Sequence, residues 1–291
     1  MSTALRSDLD EVTARSTWEE LRRFERLDVA QGRAVLEAQQ RLFPHPPAAL
    51  GTPSRRTIDG GLAIFGGRHS DQNYVRGLDP SEPLSEASLE EIESFYGEHR
   101  CASTFVLARI PASPLERQLV ERGYRVEARH QVVGRSLPCA EEAPDPLRTC
   151  RQARDEERDA WASLLMQGFL ERPAPIFHAW FVGRAIFESE TACFFVDHDE
   201  TPIATAALFQ HDGIAVLSGD ATLESHRRQG AQRCSIHRRL DFAASLGLGQ
   251  AIAHVVADTP SHRNYLRAGF ENHYERLYWR RPMPSSERSG R

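Results

Sequence analysis

The chain has 291 residues, 40% of them apolar, a formal net charge of −5 and five cysteines. That is length and apolar content for two ordinary domains with a core each, and the negative balance excludes a surface built throughout to hold nucleic acid. The cysteines (Cys101, Cys139, Cys150, Cys193 and Cys234) are odd in number, scattered and without metal-ligand spacing, which predicts reduced thiols and no metal site.

At the N-terminus, MSTALRSDLDEV has no apolar core for a signal peptide. No apolar run approaches the ~20 residues that span a bilayer, so a soluble, cytoplasmic protein is expected. SEASLEEIESFYGEH (85–99) places Leu89, Ile92, Phe95 and Tyr96 on one stripe and predicts an amphipathic helix. LVERGYRVEARHQVVGR (119–135) reads as a helix end, a glycine turn and a strand. In LPCAEEAPDPLRTC, three prolines and three acids break the pattern, which places a linker at 138–146.

Beyond the linker, ARDEERDAWASLLMQGFL predicts a helix with Trp161, Leu164, Leu165, Gly168 and Phe169 facing a core. A shorter helix follows in IFHAWFVGRAIF, then three strands in TACFFVDHD, PIATAALFQ and GIAVLSGDA joined by turns. Past Gly230, Ile236, Leu240, Ala243 and Leu246 keep helical spacing until Gly247. QAIAHVVA is a strand, PSHRNYLRA a short helix stopped by Gly269, and ENHYERLYWRR a last strand. The order predicts an α/β layout in which a helix crosses between neighbouring parallel strands. The segment 119–135 also lies over 265–281: Gly123 matches Gly269 and Tyr124 matches Phe270, at an offset of 269 minus 123, or 146. Two similar folds in tandem are therefore expected.

The stretch ESHRRQGAQRCSIHRRLDFA (224–243) gathers five arginines and two histidines around one glycine in an acidic chain. A loop from a strand into a helix start aims unpaired N–H groups and the positive end of the dipole at one spot, which is an anion site before any side chain is counted. Gly230 lets a ligand approach the backbone, and Arg227, Arg228 and Arg233 can add charge-assisted bonds. The pattern suits a diphosphate.

Arg227-Arg228-Gln229-Gly230-Ala231 resembles the Arg/Gln-x-x-Gly-x-Gly/Ala signature of the GCN5-related N-acetyltransferase (GNAT) family, with Gln232 standing where the pattern prefers Gly or Ala. SGDAT before it and NYLRAGF after it are similar to the family's flanking segments. The resemblance implies tandem GNAT-like domains, each a mixed, mostly antiparallel twisted sheet flanked by helices. The division would be a degenerate domain at 1–137, the linker, an acetyltransferase domain at 147–282 and a disordered tail at 283–291. It implies further that acetyl-CoA is the co-substrate, with the backbone at Asp220, Ala221 and Thr222 pairing with the pantetheine arm. Arg227, Arg228, Gln229, Gly230, Ala231, Gln232 and Arg233 would surround the diphosphate, and Asn264 would bond the pantetheine. Tyr265 matches the tyrosine that in many members protonates the departing thiolate, and a phenol is acidic enough for that task.

For the general base the sequence offers His254, near the position of a glutamate base in some members, with Asp220 and Glu224 as rivals. Cys234 reads as a packing residue. In the N-terminal half the offset brings SEPLSEASLEE to the loop position, with acids and no glycine, while Leu119 and Gln118 replace Tyr265 and Asn264. That half is expected to hold no cofactor. The expected activity is acetyl transfer from acetyl-CoA to a primary amine of a small molecule or peptide by direct attack, without metal, membrane or nucleic-acid partner. The alternatives are a non-catalytic acyl-CoA-binding or regulatory module and an RNA-binding face at Arg227–Arg239, the latter lacking interleaved aromatics. The acceptor, the acyl preference and the oligomeric state are not legible in the sequence.

Overall fold

The 146-residue echo in the sequence is an echo in the backbone. In the computed structural model, which describes residues 3–68, 70, 72–138, 149–170 and 179–281, helix α3 (Pro114–Glu121) and helix α7 (Pro260–Arg267) each begin with proline behind a hydroxyl N-cap. Ser113 and Thr259 accept the N–H three residues on, so each helix start satisfies one of its own orphan donors. Gly123 (φ 89°) and Gly269 (φ 78°) end them in the left-handed region. Strands β5 (Arg125–Ser136) and β11 (Glu271–Arg280) follow. The expected linker beyond Pro138 and the expected tail lie outside the described residues.

The remaining elements are helix α1 (Thr3–Leu42), strands β1 (Ser54–Ile58), β2 (Gly61–Phe65) and β3 (Val75–Arg76), helix α2 (Glu86–Glu98) and strand β4 (Thr104–Ala108). From residue 149 on come β6 (Thr149–Gln152), α4 (Arg158–Leu170), α5 (Arg184–Ser189), β7 (Ala192–His198), β8 (Thr201–His211), β9 (Ile214–Thr222), α6 (Ala231–Ser245) and β10 (Gln250–Val256). The expected strands and helices after residue 153 form over their described residues; the shorter helix expected in IFHAWFVGRAIF is described from 179 on, its first residues lying outside the described ones. The sequence reading did not reach α1, β1, β2, β3, β4 or β6.

Among the described residues, one mixed, mostly antiparallel sheet carries all eleven strands in the order β1-β2-β3-β4-β11-β5-β10-β9-β8-β7-β6. The two halves exchange their last strands: β11 pairs with β4 and β5 with β10, and β5 and β11 pair with each other at the seam. Every pairing at this seam is antiparallel. Each half thus has its edge closed by the other's chain, which leaves no open edge at the centre.

Period-two alternation divides the sheet into two faces. Val133, Ala215, Leu217, Ala251 and Ala253 pack with Ile236 and Leu240 of α6 and Tyr265 of α7. Their neighbours Val132, Val216 and Ile252 face the other way, onto Phe24 and Leu27 of α1. Farther along, Leu36 of α1 packs on Leu62 and Ile64 of β2, so this helix crosses from one half to the other. Buried charge fixes it there. Arg276 of β11, fully buried, pairs with Glu25 at 3.1 Å and Asp28 at 2.8 Å, and Tyr274 donates to Glu25 at 2.7 Å. Arg76 of β3 donates to the Asp28 carbonyl at 3.1 Å. Burial alone would raise the Asp28 carboxyl, but Arg276 and Arg76 outweigh it and hold it well below the usual range.

Strand exchange predicts that neither half folds alone. Chains ending at Ser136 or beginning at Thr149 should each lack dispersed amide NMR spectra and recover them when refolded together; a dispersed spectrum from either alone would contradict the exchange.

Candidate functional site

Strand β9 pairs in parallel with β10 only from Ile214 to Leu217, against Gln250 to Ala253. Beyond that, β10 runs on to Val256 along β5 while β9 runs on to Thr222 along β8. The two strands part, and the β10-facing edge of residues 218–222 has left the ladder. A bulge helps turn β9 away, with a register shift between Thr205 and Ala207. Gly219 sits there at φ 64°, and a Cβ on it would meet the Ala207 Cβ at 3.0 Å, so the bulge requires glycine.

Arg239 of α6 fills the wedge behind this opening. It is fully buried and donates to the carbonyls of Ala207 (3.1 Å) and Ser218 (3.0 Å) and to Asp220 Oδ1 (2.5 Å). Burial penalises its charge, but Asp220 more than offsets that and holds the guanidinium firmly protonated. The RNA-face alternative therefore loses Arg239, which is not on any surface. Tyr265 donates to Asp220 Oδ2 at 2.5 Å and meets Phe270 edge-on at 5.0 Å. Its side chain is fully buried, and burial raises the phenol far above its ordinary acidity. The expected proton donor thus lies one layer behind Asp220, with its hydrogen already committed. The sequence reading used Asp220 chiefly for its backbone; its carboxylate, held by Arg239 and Tyr265, was missed as an organising group.

The loop after β9 passes through a 3-10 turn at Glu224–His226 and enters α6 at Gly230, whose φ of 86° is left-handed. Here the N-cap has no side chain to offer, unlike Ser85, Ser113 and Thr259 at the starts of α2, α3 and α7. The first intrahelical bond runs from Cys234 N–H to Gly230 O at 3.0 Å. The amides of Ala231, Gln232 and Arg233 therefore point out of the helix start with the dipole behind them. Arg228 and Gln229 are exposed beside them. Arg227 is turned inward instead and ties the loop to its surroundings, donating to Gly168 O at 3.0 Å and Thr222 O at 3.3 Å. Gln232, the residue that departs from the family pattern, bridges two helix starts: it donates to Ser261 Oγ at 2.7 Å and accepts from Asn264 Nδ2 at 2.8 Å. Asn264 is thereby held at the helix pair rather than presented alone. Cys234 packs beside Cys150 against Val196, Ile203, Ala204 and Ala231.

On the α1 side the parted strands open into a cavity of about 540 Å³. Its walls come from both halves: Tyr74, Arg76 and His130 from the first, and Ser218, Asp220, His254 and Ser261 from the second. Phe169, expected in the core, is 58% exposed and lines this cavity instead. His254 faces it, but Arg276 donates to its Nδ1 at 3.2 Å, so that lone pair is occupied and the ring hydrogen sits on Nε2. Burial and then Arg276 push the imidazole down to about 3. Such a ring is neutral and carries no open acceptor. Glu224 lies exposed on the 3-10 turn. Glu190, which sequence reasoning passed over, lies at the end of α5 and lines the cavity. Its Oε1 accepts from Gln31 of α1 at 2.7 Å and Ser218 of β9 at 3.2 Å, while its Oε2 is shut from solvent and has no hydrogen-bond partner. Nothing local marks Glu190; only the folding of α1 over β9 gives it these neighbours. Among the described residues no cluster of His, Cys, Asp and Glu could hold a metal, and no helix is long and apolar enough to cross a membrane.

Comparisons with known proteins agree with this geometry. The Acetyltransferase (GNAT) family matches residues 151–270. A GCN5-related N-acetyltransferase from Kribbella flavida superposes with a TM-score of 0.58 at 20% identity, over 80% of this chain and 90% of its own. Another, from Sphaerobacter thermophilus, gives 0.57 at 15% identity over 79% and 75%. A tandem GNAT protein from the clavulanic acid biosynthesis pathway gives 0.51 at 11% identity over 77% and 74%. At these identities the superpositions bear on the fold. Among curated protein sequences none matches this one. The family match, the parted β9 and β10 and the glycine-capped start of α6 agree on one point: residues 151–270 form a domain of the Acetyltransferase (GNAT) family.

Proposed function

We propose that the protein moves an acetyl group from acetyl-CoA to a primary amine, by direct attack, in the opening between β9 and β10. One observation carries this reading: the opening ends at a helix start whose N-cap, Gly230, has no side chain to offer. A pantetheine arm laid against residues 218–222 would find backbone groups that have left the ladder, and the diphosphate would reach the amides of Ala231 to Arg233. Arg228 and Gln229 lie exposed beside that point. The acceptor would enter from the α1 side, where the cavity lies.

The geometry favours changed roles for two residues. We assign Tyr265 to positioning: with Arg239 it fixes the Asp220 carboxylate under the opening, and the departing thiolate takes its proton from the amine or from solvent. His254, its Nδ1 occupied by Arg276, is a wall of the cavity rather than its base. The N-terminal half supports only one cofactor site per chain. At the start of α2, Ser85 caps the Ser88 N–H, Glu86 adds a negative charge in the first turn, and Gln118 bonds both backbone groups of Leu84. The position matching the anion loop is thus closed by its own side chains.

Three outcomes follow. Calorimetry with acetyl-CoA should give one site per full-length chain; two sites would contradict the asymmetry of the halves. Gly230→Val, which puts a branched side chain at a left-handed φ where the diphosphate must approach, should abolish binding while circular dichroism shows a retained fold; unchanged affinity in a folded variant would remove the loop from the site. Tyr265→Phe should lower stability by about 1.5–3 kcal/mol, the range for a hydrogen bond to a charged group, and slow release of the CoA thiol to an accepted amine less than threefold. A loss of 10-fold or more, in the range of a general acid, would return the proton-donor role to Tyr265.

A further inference from the structure

Five groups on the cavity wall bear on who takes the proton of the incoming ammonium; burial and then Arg276 push His130 down to about 4, and three others are already engaged. Asp28 is paired with Arg276 and Arg76. Asp220 has one oxygen on Arg239 and the other on Tyr265. His254 Nδ1 accepts from Arg276. Glu190 differs: Gln31 and Ser218 both bond its Oε1, which fixes the carboxyl in place and leaves Oε2 buried with an unused acceptor. A buried carboxylate oxygen without a donor costs free energy unless a ligand supplies one.

Resting on the acetyltransferase reading, we propose that Glu190, on the wall of the cavity, acts as the general base for the acceptor's ammonium, so that the acceptor is an amine that arrives as a cation. The balance is simple. Glu190 takes one proton from the ammonium; the neutral nitrogen attacks the thioester carbonyl; the C–S bond breaks as the C–N bond stays. The second N–H proton goes to the departing thiolate, and Glu190 returns its own to solvent. The bulge at Gly219 lines the same cavity, and beside it the carbonyl of Ser218 accepts from Arg239.

The surroundings suit that task. Burial raises the Glu190 carboxyl to about 7, against the smaller opposing effects of the bonds from Gln31 and Ser218 and of Arg239 on α6. The other titratable groups around it are Glu188 on its own helix, Arg158 of α4, which pairs with Glu188, and Cys193 of β7. Asp28 of α1, Asp220 of β9 and His254 of β10 share its cavity, and His211 of β8 follows Gln210, whose N–H bonds Thr191. His254, depressed to about 3, does not change charge near neutrality. A base is active when deprotonated, so the rate must rise with pH through about 7.

The test uses the full chain, acetyl-CoA and the best amine from a panel of aliphatic amines and amino-terminal peptides, with thiol release followed from pH 5.5 to 9. Wild-type kcat/KM should climb with unit slope and level off above pH about 7. Glu190→Gln should lower it by about 10²- to 10⁴-fold and lose that climb, with acetyl-CoA affinity by calorimetry unchanged within twofold. Gln31→Leu keeps the carboxylate but removes a bond that favours its charged form, and should move the climb to higher pH. This second variant decides if Glu190→Gln does not fold. Retention of the climb in Glu190→Gln, or an unmoved climb in Gln31→Leu, overturns the assignment. Binding of acetyl-CoA with no transfer to any amine by wild type would instead overturn the transferase reading on which it rests.

Discussion

The exchange of terminal strands is the constraint on which the rest of the structure depends. Because β5 of the first half closes the edge of β10, β10 stays in the sheet to Val256 although β9 leaves it after Leu217. Without β5 the parting of β9 and β10 would expose β10 on both sides, and its backbone groups would have to find water or fold back. The half that has no anion loop is therefore not an appendage. It supplies the strand that lets the other half stay open, and it contributes Tyr74, Arg76 and His130 to the cavity wall. Helix α1 then seals this arrangement from above, packing on Val132, Val216 and Ile252 at one end and on Leu62 and Ile64 at the other.

Two buried arginines carry the electrostatics of the site. Arg239 sits under the opening and fixes Asp220; Arg276 sits under α1 and fixes Asp28 and the tautomer of His254. Both are fully buried, and for such groups the loss of one partner costs about 3–5 kcal/mol because the other charge is left in a dry place. Their effect on the chemistry is subtractive. They engage Asp220, Asp28 and His254, while the Glu190 carboxyl on the same wall is raised to about 7, where it can change protonation state near neutrality.

Much of this was legible in sequence because it is local. The glycine at 230 followed by helical spacing gives the loop and α6, and the alternating runs from 191 to 221 give the meander. The glycine and aromatic pair shared at an interval of 146 gives the repeat. What was not legible depends on distant partners. Helix α1 hides because its buried face mixes Phe24, Leu27 and Leu36 with Glu25, Asp28 and Gln39, whose burial makes sense only once Arg276 and Gly66 are beneath them. The same reason hides Glu190, an ordinary acid at a helix end until Gln31 and Ser218 reach it. The elements that carry Tyr265 and His254 were legible, but the bonds of these side chains depend on Asp220 and Arg276, 45 and 22 residues away. Phe169 keeps the helical period of its neighbours but falls where the helix meets the cavity rather than the core.

The central claim is that the parted strands and the start of α6 form one continuous acetyl-CoA site, and amide hydrogen exchange with and without acetyl-CoA tests it most directly. The account predicts slowed exchange at residues 218–222 and 228–233 together, with no change at 81–88 in the other half. Protection confined to one of the first two segments, or appearing at 81–88, would contradict it.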